Sequence, residues 1–128
     1  MQKKPKDLPS LSVIINDQIV FESEGNWLYP LFDLQEHIKR STLDLSRAEV
    51  HDKVVGKAAA LLLVRLGAGK VHGRLMSDLA VQALKRYAIP FTYDERVSRI
   101  DCKTEDILLN VDDVEVAYQI LCKRANRC

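Results

Sequence analysis

From Ala58 to Val64 every residue is apolar, and this run follows the polar, doubly cationic stretch His-Asp-Lys-Val-Val-Gly-Lys at 51–57. A segment with no face suited to water must be covered on all sides, which in a chain of 128 residues makes it the centre of a single core. Helical periodicity predicts a buried central helix over residues 47–66. Ser46-Arg47-Ala48-Glu49 has the Ser-x-x-Glu form of a capping box, and Leu45 and Val50 occupy the positions of a hydrophobic staple. Gly67 supplies a left-handed stop. On such a helix Glu49 stands four residues before Lys53, an ion pair worth about 0.3 kcal/mol, and Lys53 and Lys57 share one face. Gly56 then falls in a helix interior, where glycine costs about 1 kcal/mol relative to alanine, and so marks the close approach of another backbone or of a ligand.

The flanking segments predict an α/β fold. Residues 11–15 and 19–23 are rich in β-branched and aromatic side chains around Asn16-Asp17-Gln18, which predicts a β-hairpin. A helix is expected over 30–39, with Pro30 in its first turn and Leu31, Leu34 and Ile38 at helical spacing. Residues 70–76 read as a strand and 79–87 as a helix capped by Ser77-Asp78. Residues 91–97 read as a further strand, parallel to the one before it through a right-handed crossover. A short helix, or alternatively a strand, is expected over 107–111. A final helix follows the capping signal Asp112-Asp113-Val114-Glu115, with Val114, Ala117, Tyr118, Leu121 and Cys122 on its apolar stripe. The expected division is a mobile tail over 1–10 and one α/β domain over 11–128.

Composition removes several function classes. Nineteen Lys and Arg against 18 Asp and Glu leave a net charge of +1, so nothing argues for a nucleic-acid partner or an anionic membrane. The longest apolar run is far short of the ~20 residues a bilayer span needs, and a cytoplasmic location is expected. Three cysteines, Cys102, Cys122 and Cys128, predict neither a disulfide framework nor a structural zinc site, and Cys122 reads as a core filler. His37, His51 and His72 read as surface or half-buried residues rather than metal ligands, and no cofactor is expected.

The run Asp52-Lys-Val-Val-Gly-Lys-Ala-Ala-Ala-Leu-Leu, in this order of elements, resembles a small prokaryotic family of unknown function with the cytidine-deaminase-like fold. The resemblance covers about residues 11–122. A second local match is Cys102-Lys-Thr-Glu105, where the family tends to have Cys-Pro-x-Glu. It implies a three-layer α-β-α architecture with a mixed sheet. In that superfamily zinc is held by a His opening the central helix and by a Pro-Cys-x-x-Cys opening the next one, with a nearby Glu moving protons. Carried onto this chain, Asp52 stands at the first ligand position, Val54 at the proton-moving position, and Ala80 and Ala83 at the thiolate positions. Valine moves no proton and alanine binds no zinc, so the zinc centre is expected to be absent. The chain also lacks the family's glycine-rich turn before the cysteine motif.

The site is expected outside the carboxyl ends of the parallel strands, where helix N-termini offer free N–H groups. That rim should gather Asp52, Lys53, Lys57, Ser77, Asp78, Arg99, Asp101, Cys102 and Glu105. Three functions stay open: binding of a small anionic, nucleotide- or nucleobase-like ligand through Asp52, Lys53, Lys57, Ser77, Arg99 and Glu105; a metal-independent enzyme using Cys102 with Asp52 or Lys53; or a homodimeric interaction module.

Overall fold

A computed structural model describes residues 9–100 and 102–128, so most of the expected tail, and Asp101, lie outside the described residues. Strands β1 (Leu11–Ile15) and β2 (Gln18–Ser23) form the expected hairpin. Its loop is two residues, Asn16 and Asp17, at φ 51° and 63°. This is the left-handed pair that a tight hairpin turn requires and that Asn and Asp tolerate. Helix α1 (Tyr29–Lys39) carries Pro30 in its first turn.

The central segment differs from expectation. Residues expected to open the central helix are instead strand β3 (Glu49–Val55), and helix α2 (Lys57–Leu66) starts only after Gly56. Ser46 caps no α-helix: it lies in a 3-10 turn (Leu45–Arg47) whose cap is Asp44. The reason is tertiary. Glu49–Val55 pairs antiparallel with β1 on one side and parallel with β4 (Lys70–Ser77) on the other, and two ladders of hydrogen bonds outweigh a local helical signal. The Glu49–Lys53 helical pair therefore does not form. Glu49 meets His51 at 3.2 Å and Lys70 at 3.7 Å instead. Lys53 and Lys57 do not share a helical face. Gly56 is the extended N-cap of α2, and its close approach is to Glu105, whose Oε2 would lie 3.0 Å from an added Cβ.

Helix α3 (Asp78–Arg86) is capped by Ser77, whose hydroxyl accepts from Ala80 N at 3.1 Å. Strand β5 (Phe91–Val97) then completes a five-stranded sheet of order β2-β1-β3-β4-β5, with β3, β4 and β5 parallel. The short helix falls earlier than expected, at α4 (Lys103–Ile107), and α5 (Val114–Ala125) starts at the Asp113 cap. Gly67 ends α2 at φ 84°, as its sequence context predicts.

The described helices form one layer rather than two. Right-handed crossovers that step the same way, β3 to β4 to β5, place α2 and α3 on the same face, and α1, α3, α4 and α5 all pack against α2. Ala58 to Leu63 are buried at the centre of this layer. The other sheet face carries Ser12, His51, His72 and Thr92 in register, and no described helix covers it. Strands β3 and β4 also change phase together. Val50 and Val55, and likewise Val71 and Met76, are fully buried although five residues apart, and the pairing skips Lys53 and Arg74 between them.

Cys122 is in the core, as expected, but it is also joined to Cys128 by a disulfide that the spacing did not suggest. Asn126, at φ 57°, turns the chain back at the end of α5 and brings the two Cα atoms to 4.9 Å.

Candidate functional site

The carboxyl end of β3, the first turn of α2, the β2–α1 connection and the segment after β5 enclose a cavity of about 300 Å³. Its floor and one wall come from Asp52, Lys53, Val54, Gly56, Lys57, Ala58 and Ala59. Asn26, Trp27 and Leu28 face it from the β2–α1 connection, and Ile100, Cys102, Thr104 and Glu105 from the C-terminal side.

Glu105 organises the buried wall. It is 2 % exposed. Its Oε2 accepts from the main-chain N–H of Lys57 at 2.9 Å and from the Ser77 hydroxyl at 2.7 Å, and its Oε1 accepts from Ile100 N at 2.8 Å. Lys57 opens α2 and Ser77 caps α3, so one carboxylate ties two helix starts, where partial positive charge favours an anion. The Lys57 ammonium turns away from the cavity. It meets Asp112 Oδ1 at 2.9 Å and the Leu109 carbonyl at 3.1 Å, and this hydrogen bond, with the lysine's charge, holds the Asp112 carboxyl below the usual range.

Asp52 is the opposite case. Burial pushes its carboxyl up to about 7, against the main-chain N–H groups of Lys53 and Val54 and the charge of Arg74. Near neutral pH it is therefore part acid and part carboxylate. Lys53 is exposed beside it. Cys102 is a free, half-buried thiol at the N-cap of α4, with Sγ 2.9 Å from the Thr104 hydroxyl.

Of the expected rim, the cavity gathers Asp52, Lys53, Lys57, Cys102 and Glu105. Ser77 lies behind Glu105 and is fully buried. Asp78 is held by Arg96 at 2.6 Å. Arg99 pairs with Asp106 at the surface, outside the cavity lining. Trp27 was missed. It is 40 % exposed, packs edge-on against Tyr29 at 5.3 Å, and holds a left-handed φ of 56°. For a bulky residue that conformation costs about 1–3 kcal/mol and is sustained only by its surroundings. The signal was in the chain: a lone tryptophan between Gly25-Asn26 and Tyr29-Pro30, in a loop leaving a strand.

The sequence model of the TM1506 domain of unknown function, DUF1893, matches residues 5–124. The chain belongs to the DUF1893 family. A crystal structure of a DUF1893 protein from Thermotoga maritima is similar at a TM-score of 0.80 and 29 % identity, over 91 % of this chain and 80 % of that one. No curated protein matches the chain. Among the described residues no helix is long and apolar enough to cross a membrane, and no three His, Cys, Asp or Glu side chains converge as a metal cluster.

Proposed function

We propose that this DUF1893 protein binds, in the helix-side cavity, a small ligand that joins a flat ring to an anionic group, the chemistry of nucleotides and nucleobase-like compounds. The observation that carries the reading is the meeting of Trp27, Asp52 and Lys53 around one cavity of about 300 Å³, the lower end of the size range of small-ligand sites. The indole offers a stacking face. The Asp52 carboxyl can accept from a ring edge or donate to it. Lys53 supplies the charge for a phosphate or carboxylate. The strand order and the two parallel crossovers match a deaminase-like sheet, and with it the nucleobase-like class, by analogy of fold, although the described helices supply one layer where the three-layer architecture has two.

In a deaminase-like arrangement zinc would lie between the first turns of α2 and α3. Here those turns present Lys57, Ala58, Ala59, Asp78 and Ala80; Asp78 alone is of a zinc-donor type and it is held by Arg96 at 2.6 Å, and Glu105 already binds both helix starts. These residues do not fit a zinc ion. Asp52 does not open the central helix either: it lies within β3.

Trp27 is the single tryptophan, so its emission reports directly on the cavity. Titration with nucleobases, nucleosides and nucleotides should give a saturable change in that emission. At 100 times the dissociation constant it should also give about 2.7 kcal/mol of added stability. Lys53→Ala should weaken nucleotides more than nucleosides. A panel that moves neither emission nor melting temperature overturns the proposal. A second reading, a thiol enzyme, is favoured by Cys102 lying in the same cavity. Alkylation of Cys102 no faster than that of free cysteine at neutral pH removes it.

A further inference from the structure

The sheet face opposite the helices carries a second cavity of about 280 Å³, lined by Ser12, His51, Asp52, His72, Arg74 and Asp94, with Pro9 at its border. His51 and His72 are register partners on β3 and β4, with rings 5.0 Å apart and tilted by 42°. His72 is tied on both sides, Nδ1 to the Thr92 hydroxyl at 2.6 Å and Nε2 to Asp94 at 3.2 Å. His51 is not. Its Nε2 lies 3.2 Å from Glu49 Oε1 but out of line for a hydrogen bond, and the atom is shielded from solvent with no hydrogen-bond partner among the described residues. A shielded polar atom without a partner calls for an explanation, and an absent ligand is one. Arg74 spends one N–H on the Pro9 carbonyl, at 2.9 Å.

We propose that this outer cavity binds a small oxyanion, a phosphate or a carboxylate, gripped by the Arg74 guanidinium and the His51 imidazole, beside a His72 ring that Thr92 and Asp94 hold in place. The charges that face it decide when. From β3 these are Glu49, His51 and Asp52; from β4, Lys70, His72 and Arg74; from β5, Asp94. Glu49 lies against Lys70 and Asp94 against His72, and Asp52 feels the charge of Arg74. Because burial raises the Asp52 carboxyl to about 7, acidification neutralises it. The cavity then holds an excess of donors and positive charge. Binding is accompanied by proton uptake from solvent, and Asp52 forms a wall of both cavities, so the two sites share one protonation event.

The test uses inorganic phosphate on the full chain, followed by imidazole NMR signals at matched ionic strength. Near pH 6 phosphate should shift the His51 and His72 signals saturably, at least tenfold more tightly than near pH 8.5. Arg74→Gln should abolish saturation, and Arg74→Lys should retain part of it. Because Arg74 also holds Pro9, His51→Gln supplies a second variant, and it should weaken phosphate several-fold with an unchanged circular-dichroism spectrum. Three results overturn the proposal: a response that chloride reproduces, a response that does not saturate, and affinity that is the same at both pH values. Saturable binding of nickel ions with no phosphate response also overturns it, in favour of a cation site. None of these outcomes depends on whether the helix-side cavity binds a ligand.

Discussion

Glu105 and Asp52 both line the helix-side cavity, and the fold treats the two carboxylates in opposite ways. Glu105 is the more deeply buried, yet each of its oxygens meets at least one donor, and it sits against the positive ends of two helices. Asp52 is half-buried and has only the N–H groups of its own strand and a neighbouring guanidinium to compensate, and burial prevails. The contrast shows that donors, more than depth, decide how fully a buried carboxylate is compensated.

The comparison breaks first at Glu105. Glu105→Ala leaves two buried donors and one half-buried donor unpaired and should lower unfolding free energy by about 3–5 kcal/mol, measurable by urea denaturation. Glu105→Gln keeps one acceptor oxygen and should cost less, about 1–3 kcal/mol.

Asp52→Asn should act with the opposite sign. The folded-state value of about 7 lies above the ordinary carboxyl value of 3.8, so the folded protein holds the proton more tightly than the unfolded chain does. The stability that goes with the neutral carboxyl is fully present below about pH 4 and is lost as pH rises through about 7. The asparagine variant, which keeps an oxygen for the Lys53 and Val54 N–H groups, should lack that slope. Near pH 8 it should exceed wild type by about 2 kcal/mol; thermal melts from about pH 4 to 8 check this. A wild-type profile flat across that range would remove the distinction between the two carboxylates.

The smallest effect is expected at Gly56→Ala. The added methyl meets Glu105 Oε2 at 3.0 Å and must displace it by a few tenths of an ångström, at about 1 kcal/mol. A stabilised variant would mean that Glu105 has slack, and the joint would be looser than its hydrogen bonds imply.

The hairpin, α1, the β4–α3–β5 unit and α5 were legible because each has local punctuation: Asn16-Asp17, Pro30, the Ser77 cap and the Asp113 cap. Gly67 was read correctly for the same reason. The segment from Glu49 to Val55 was not, because its strand identity comes from partners at Leu11 and Lys70, distant in sequence, while its local signals, Ser46 and Glu49, imitate a helix start. The same long-range dependence hid the site. Asp52, Lys53, Cys102 and Glu105 were singled out, but that Lys57 turns outward to Asp112, and that Trp27 closes the cavity, follows only once β2, β3 and α4 are assembled. The disulfide was hidden likewise, since it depends on the left-handed turn at Asn126.

Glu105 comes late in the chain, while the two helix starts it joins are complete by Ala80. During synthesis a ribosome therefore releases β3, α2, β4 and α3 before the group that fastens them has been made, and the order of translation sets when the fold can lock. A nascent chain stalled before residue 105 would hold its central helix with an unfilled N-terminus, a species open to proteases and chaperones until Glu105 itself emerges.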